Sequence, residues 1–211
     1  MMNDAGRMTL HWSPRSPYVR KVVITAHELG LAGRIDLVRT VVGGTTPHPA
    51  LMRENPLGKI PTLVLADGTI IYDSPLVCEY LDTLHSGEKL FPLAWPARLA
   101  ALRWQALGSG MLDIALLRLG ERAKPEALRS APHEALWAGK IVSCVDALEQ
   151  QADELASTPF SIGHICVGVA LGYLDFRFDA EQWRQARPRL TTWHAKFTAR
   201  PSVAANMPAE G

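Results

Sequence analysis

The chain of 211 residues carries 22 Lys and Arg residues against 21 Asp and Glu residues, so its formal net charge is +1. This balance argues against nucleic acid or a membrane surface as the main partner, because both favour a basic excess. Hydrophobic residues make up 47% of the chain, which is typical of a globular protein rather than a disordered one. The 3 cysteines are far apart, so they indicate neither a disulfide framework nor a zinc site, and we expect a reducing, cytoplasmic compartment.

The sequence also argues against targeting segments and metal sites. The opening residues MMNDAGRM contain no apolar core, so we expect no signal peptide. No segment approaches about 18 consecutive apolar residues, so we expect no transmembrane helix. The 7 histidines are scattered without a spacing such as HxxxH, so we expect no bound metal.

Residues 8–84 alternate short apolar runs with helical patterns. The run MTLHW predicts a first strand, and the apolar residues that recur at helical spacing after it predict a helix from Pro17. The runs IDLVRTVV, PTLVLA and GTIIY predict three further strands, the last two separated by the hairpin signal DG. The next helix begins at Ser74, as N-cap, and Pro75. This order indicates a mixed sheet with parallel and antiparallel members.

From residue 95 onward the strand signals vanish and long helical patterns follow one another. The nearly all-apolar run FSIGHICVGVALGYLDF is typical of a helix buried among other helices. We therefore predict an α/β domain at 8–84, a linker at 85–95 and an all-helical domain at 96–205.

The segment HWSPRSPYVRKV places two hydroxyls, Ser13 and Ser16, where the first strand ends and the first helix begins. Backbone N–H groups and the helix dipole favour an anion or a thiolate at such a position. The simpler interpretation is N-capping, because Ser16 followed by Pro17 is a common helix start. On these residues alone, capping is the better interpretation.

Two further segments allow a similar choice. Asp73 and Ser74 could bind the ammonium and the carboxylate of a ligand, or could simply cap a helix. In NPLGKIPTL, a cis Ile60–Pro61 bond would leave the Ile60 N–H and carbonyl free for a ligand, with Lys59 as a neighbouring cation. A trans bond, the commoner form, would instead lead into an edge strand.

Together, the order and spacing of Ser16, NPLGKIP and Asp73-Ser74 resemble the glutathione transferase family, in particular its serine-type bacterial members. The resemblance covers the N-terminal half motif by motif, and the C-terminal half only in length and helical pattern. It implies a thioredoxin-like β-α-β-α-β-β-α domain followed by a helical-bundle domain, and a homodimer. It also implies an enzyme that activates glutathione, its co-substrate, as a thiolate for attack on small hydrophobic electrophiles, without a metal.

The resemblance assigns a role to each glutathione-binding motif. Ile60 would pair through its main chain with the cysteinyl backbone of glutathione, next to a cis bond to Pro61. Asp73 and Ser74 match the acid–serine pair that holds the γ-glutamyl ammonium and carboxylate. Two side chains would approach the glycyl carboxylate: Lys59 and His48.

For the sulfur, the family's catalytic residue matches the serine directly before the proline of the SPxxR run, which is Ser16. Ser13 also precedes a proline and is the rival candidate. The segment contains no cysteine, which argues against the family members that form a mixed disulfide with glutathione. Two other functions remain open for the same fold. One is a non-catalytic binding protein associated with transcription or translation, and the other is a glutathione-dependent isomerase or reductase.

The second domain departs from the family pattern at SIGH, where His164 stands in place of the acidic residue of a capping box begun by Ser161. We expect the reciprocal carboxylate bond to be missing, or replaced more weakly by the histidine ring, at a modest cost in stability. Four residues of the first long helix are candidate walls of an electrophile site or, equally, core or dimer contacts: Trp104, Gln105, Gly108 and Met111.

Overall fold

The computed structural model describes residues 6–43 and 45–210. Their contacts form two compact units, one running up to Leu93 and completed by the segment from Pro201 onward, the other Ala94–Arg200. The first unit is α/β and the second is all-helical, which confirms the predicted fold class. Residues 1–5, which are part of the opening used for the signal-peptide expectation, lie outside the described residues.

A four-stranded mixed sheet forms the centre of the first unit. Its strands are β1 (Met8–Trp12), β2 (Ile35–Arg39), β3 (Thr62–Val64) and β4 (Ile70–Ile71). The spatial order is β2-β1-β3-β4, with β1 and β2 parallel and the other neighbours antiparallel. Strands β2, β3 and β4 are each shorter than the apolar runs that predict them.

Three helices of the first unit follow the predicted order: α1 (Pro17–Glu28), α2 (Pro49–Glu54) and α3 (Ser74–Thr83). Helix α1 packs against α3, with the Thr25 hydroxyl 3.5 Å from Cys78 Sγ, and its apolar residues Val19 and Val22 are fully buried. The short helix α2 carries no clear periodicity in the sequence and was implied by the family resemblance alone.

The start of the predicted linker is held to the first unit by a buried carboxylate, Asp82 at the end of α3. The Leu90 and Phe91 N–H groups donate to it at 2.9 and 3.2 Å, and the His85 ring lies 3.2 Å from it. A buried carboxylate that accepts backbone hydrogen bonds keeps the segment after α3 in one conformation.

Five helices form the second unit: α4 (Trp95–Arg122), α5 (Ala131–Gln150), α6 (Ala152–Ser157), α7 (Ile162–Phe178) and α8 (Pro188–Thr198). Helices α4 and α7 pack so closely that a Cβ added at Gly108 would lie 2.6 Å from the Cys166 backbone. A Cβ at Gly163 would lie 2.6 Å from the Ala101 carbonyl oxygen. Glycine at these positions therefore permits the contact between the two helices, as predicted for an all-apolar buried helix.

The four candidate wall residues of α4 are all buried: Trp104, Gln105, Gly108 and Met111. The Trp104 indole N–H donates to the Gln151 side-chain carbonyl at 3.0 Å, within the second unit. Gly108 faces the α7 backbone, and Met111 is 1% exposed. The core interpretation therefore accounts for these residues without an electrophile.

The capping box at the start of α7 is closed by the histidine that stands in place of the acidic residue, so the carboxylate bond is absent, as expected, and the imidazole reaches back instead. The Ser161 N–H donates to His164 Nδ1 at 3.1 Å, and this nitrogen takes the part of the usual carboxylate oxygen. Because Nδ1 accepts, the ring proton lies on Nε2, which donates to the Leu155 carbonyl at 3.0 Å. Burial lowers the pKa of His164 to about 4.

The C-terminal segment, which begins with α9 (Pro201–Ala204), belongs to the first unit. The buried Arg20 side chain on α1 donates from Nε to the Asn206 carbonyl at 2.8 Å. Further along, the Ala209 N–H donates to the Pro14 carbonyl at 3.4 Å. Contacts with α1 thus group residues 201–205 with the first unit, whereas the sequence analysis assigns them to the helical domain.

Within residues 6–43 and 45–210, no helix combines the length and the apolar character needed to cross a bilayer. The same residues contain no group of three or more His, Cys, Asp or Glu side chains arranged to hold a metal ion. The three cysteines are free thiols: Cys78, Cys144 and Cys166.

Candidate functional site

The sheet register brings the sequence motifs together at one end of the strands of the first unit. Strand β3 runs antiparallel to β1 and pairs Thr62 with His11, so the loop before β3 lies beside the turn after β1. Strand β4 runs antiparallel to β3, so the start of α3 follows at the same end of the sheet strands. Strand β2 is parallel to β1 and pairs Arg39 with Trp12, which places Arg39 there as well.

Ser16 lies in the turn between β1 and α1 as the N-cap of α1, with extended backbone angles. Its Oγ accepts a hydrogen bond from the Val19 N–H at 3.3 Å, and its own N–H donates to the Ser13 carbonyl at 3.2 Å. No residue that the structure describes accepts a hydrogen bond from the Ser16 hydroxyl. Ser16 can therefore cap α1 and still donate to a ligand at the helix N-terminus.

Ser13, the rival serine, is 9% exposed and has a charged partner. Its Oγ accepts a hydrogen bond from Arg39 Nη1 at 2.7 Å and a longer one from the Arg15 N–H at 3.4 Å. The Arg39 guanidinium also lies over the Trp12 ring, 5.8 Å from its centroid. The sequence analysis missed Arg39, because no motif contains it and only the β1–β2 register brings it to the turn.

Asn55 organises the loop NPLGKIP from inside and is 1% exposed. Its Oδ1 accepts from the Leu57 N–H at 3.0 Å. Its Nδ2 donates to the Lys59 carbonyl at 3.1 Å and to the Thr62 hydroxyl oxygen at 2.9 Å. The sequence analysis quoted this asparagine without giving it a role, although an Asn-Pro pair is a known turn signal.

Replacing Asn55 by Ala should lower the free energy of unfolding by about 2 kcal/mol, because a buried side chain that makes three hydrogen bonds within the loop is lost. Urea denaturation followed by circular dichroism measures this loss. Lys59→Ala is the matched control, since it removes an exposed side chain but keeps the carbonyl; its effect should stay below about 0.5 kcal/mol. Equal stability of Asn55→Ala and the wild type would contradict the role given to Asn55.

The Ile60–Pro61 bond is cis, as the family resemblance implies. The Ile60 side chain is buried, and among the described residues neither its N–H nor its carbonyl takes part in a hydrogen bond. The Lys59 side chain next to it is exposed. The loop therefore presents one unused backbone donor, one unused backbone acceptor and a cation.

The structure begins α3 with Asp73 as the N-cap and Ser74 as the first residue, whereas the sequence analysis makes Ser74 the N-cap. Both residue types cap well, so the local sequence does not decide between them. Asp73 is exposed and its side chain makes no capping bond, while Ser74 is buried. The Tyr72–Asp73 bond is also cis. First-turn N–H groups have no intrahelical acceptor, so this helix end offers a carboxylate beside N–H donors.

His48 is the N-cap of α2, and its Nδ1 accepts from the Leu51 N–H at 3.1 Å. The ring proton then lies on Nε2, which can donate outward. His48 lines a surface depression of about 330 Å³ together with Thr46, Met52 and Gly58.

Comparison with known proteins decides the family. Models of the N-terminal and the C-terminal domain of glutathione S-transferase match residues 15–84 and 120–196. YibF of Escherichia coli K12, described as an uncharacterized GST-like protein, is 30% identical over 206 residues, which are 95% of this chain and 98% of the relative. The chain belongs to the glutathione S-transferase family.

Two solved glutathione S-transferase structures are similar over nearly the whole chain. A family member from Pseudomonas fluorescens Pf-5 with bound glutathione has a TM-score of 0.93 and 38% identity, covering 96% of this chain and 100% of the other. A glutathione S-transferase from Methylobacillus flagellatus KT with bound glutathione has a TM-score of 0.88 and 32% identity, with the same coverage. Glutathione is thus bound by family members that share this fold and about a third of these residues.

Proposed function

We propose that this protein is a glutathione transferase that binds glutathione in its first unit and transfers it to small hydrophobic electrophiles. The observation that carries the proposal is the convergence of three motifs at the same end of the sheet strands: Ser16, Ile60-Pro61 and Asp73-Ser74. Each motif presents polar groups that the described fold does not use. The glutathione bound to the two structural relatives supports this assignment.

The unused groups match the parts of glutathione. The Ile60 N–H and carbonyl would pair with the cysteinyl main chain. The Asp73 carboxylate would bind the γ-glutamyl ammonium, and Ser74 with the N-terminus of α3 would bind the γ-glutamyl carboxylate. Two side chains would approach the glycyl carboxylate: Lys59 and His48.

The chemical step requires a thiolate. A free thiol with a pKa near ~8.5 is only a few per cent ionised at neutral pH, and lowering this pKa by about two units needs roughly 2.7 kcal/mol. A hydrogen bond from Ser16 to the anion supplies about 1.5–3 kcal/mol, and the helix N-terminus adds about 0.3–1 kcal/mol. The S–H proton passes to water, and the sulfur electron pair forms the new carbon–sulfur bond. In a substitution the leaving group departs with its bonding pair; in an addition the product anion takes a proton from water.

The cellular setting follows from the family and the composition. We propose a cytoplasmic homodimer whose partners are glutathione and the electrophile, and which acts without a metal, nucleic acid or a membrane. The net charge of +1 and the three free cysteines support this part of the proposal.

Calorimetric titration with glutathione tests the assignment. We expect saturable binding by the wild type and about ten- to hundredfold weaker binding by Asp73→Asn, which loses the charged partner of the ammonium. Asp36→Asn is the matched control: Asp36 is exposed, pairs with Thr9 near the opposite end of β1 and β2, and accepts a hydrogen bond from Arg7 Nε at 2.9 Å. Its affinity should equal that of the wild type.

Two outcomes would contradict the proposal: no binding by the wild type, or equal losses in Asp73→Asn and Asp36→Asn. Binding without turnover of any electrophile would instead favour the non-catalytic binding protein. Turnover restricted to isomerisation or to disulfide reduction would favour the third possibility.

A further inference from the structure

The Arg39 guanidinium has no part in the mechanism above, yet it is directed at the turn that carries both serines. Its Nη1 donates to Ser13 Oγ at 2.7 Å, and its planar group lies over the Trp12 ring. Among the described residues, no carboxylate lies within ion-pair distance of it. The positive charge of Arg39 is therefore not neutralised by a neighbouring acid.

The Arg39 guanidinium polarises the Ser13 hydroxyl. Its oxygen accepts two hydrogen bonds, from Arg39 and from the Arg15 N–H, so both lone pairs are engaged. The proton is then all that the hydroxyl can offer to a ligand, and no described residue accepts it. A hydroxyl that accepts a charge-assisted hydrogen bond becomes a stronger donor in turn.

The same residue also holds the catalytic candidate in place. The Ser13 carbonyl accepts the Ser16 N–H at 3.2 Å, so the position of Ser13 fixes the start of α1. Arg39 holds this turn through its hydrogen bond to Ser13, and the parallel register of β2 with β1 places the guanidinium within reach of the Ser13 hydroxyl. The Arg39 guanidinium thus polarises the Ser13 hydroxyl and, through Ser13, fixes the position of Ser16.

We propose that Arg39 is a positioning residue that acts through Ser13 to favour the thiolate of glutathione bound at this turn. The proposal rests on the proposed function. In the step concerned, the S–H bond breaks, the proton passes to water, and the sulfur keeps the electron pair. Ser16 and Ser13 then donate to the same anion, and the charge behind Ser13 strengthens its donation.

The test measures the ionisation of bound glutathione by the ultraviolet absorbance of the thiolate as a function of pH. Arg39→Gln should raise the pKa of the bound thiol by about one unit, and should lower kcat about tenfold below that pKa. Activity should recover at alkaline pH, and the Kd of glutathione should change by less than about threefold. A merely structural clamp would instead lower kcat equally at every pH.

Two further variants separate charge from folding. Arg39→Lys keeps the charge and should retain most of the lowered thiol pKa. Arg7→Gln removes a guanidinium at the opposite end of the same two strands, where Arg7 donates from Nε to Asp36, and should leave the thiol pKa unchanged. This end of the strands is farther from the turn with Ser13 and Ser16 than the Debye length of about 8 Å at physiological salt, so the charge of Arg7 is screened there.

A double variant tests the route through Ser13. In the Ser13→Ala background, Arg39→Gln should raise the thiol pKa by less than about 0.3 unit, because the hydroxyl that carries the effect is gone. An unchanged thiol pKa in Arg39→Gln, a full additional shift in the double variant, or an equal shift in Arg7→Gln would overturn the inference and leave the proposed function standing. Absence of a glutathione thiolate signal in the wild type would overturn both.

Discussion

Replacing Ser16 by Ala is expected to raise the pKa of the bound glutathione thiol by one to two units and to cut the conjugation rate at neutral pH about ten- to hundredfold. The reason is the loss of one hydrogen bond to an anion, which contributes about 1.5–3 kcal/mol. Glutathione affinity should change little, because the peptide and the two carboxylates keep their partners. Stopped-flow kinetics with an activated aryl halide, measured across pH, reports the loss.

The cap at Ser16 complicates this experiment, and a second pair of variants resolves it. Ser16→Ala also removes the bond to the Val19 N–H, at a cost of about 1 kcal/mol in stability. Ser16→Gly costs only a few tenths of a kcal/mol as a cap, yet lacks the hydroxyl, so it should be as slow as Ser16→Ala. Ser16→Thr keeps both functions and should stay within about threefold of the wild type. A larger loss in Ser13→Ala than in Ser16→Ala would move the catalytic role to Ser13.

The stability of the second unit should depend on pH through His164. In the folded protein the pKa of His164 is lowered from 6.5 to about 4, because its ring is buried between α7 and its neighbours. Between these two pKa values, the His164 ring is protonated in the unfolded chain and neutral in the folded chain. The stabilisation is fully present above pH 6.5 and is lost as the pH falls towards 4, and it amounts to about 3 kcal/mol.

Denaturant unfolding at a series of pH values from 7 to 4 measures this loss. The comparison variant is His164→Asn, whose side-chain carbonyl can still accept the Ser161 N–H but does not titrate. It should be less stable than the wild type at pH 7, because the Leu155 carbonyl loses the Nε2 donor. The gap should close by about 3 kcal/mol as the pH falls. Parallel curves for the two proteins would refute the assignment, and the exposed His133 provides a control through His133→Asn.

Local patterns predict the strands and the longer helices but not α2, and on their own they do not decide between helix capping and ligand binding at Ser16 or at Asp73-Ser74. Strand β1 and the start of α1 follow directly from apolar spacing and from the Ser16-Pro17 pair, because these signals act within a few residues. The pairing of Arg39 with Ser13 could not be predicted. It depends on the register between two strands, and register is set by packing over the whole sheet.

Burial explains the other differences. Spacing alone cannot distinguish a core residue from a pocket wall, and Trp104 and Met111 are in the core because α7 covers them. At His164 the carboxylate of the usual capping box is absent, and the structure shows the alternative in which the histidine ring accepts the Ser161 N–H. An imidazole with a fixed tautomer accepts equally well, and its other nitrogen gains a second bond.

The discontinuous first unit has a consequence for building chimaeras between family members. Because α1 contacts residues from the far end of the chain, the glutathione-binding module cannot be exchanged with a single crossover near Leu93. Such a crossover would pair Arg20 of one parent with a C-terminal segment selected to fit the other. A second crossover near Arg200 keeps α1, α9 and the segment after it from the same parent, and thereby preserves the evolved fit of the module.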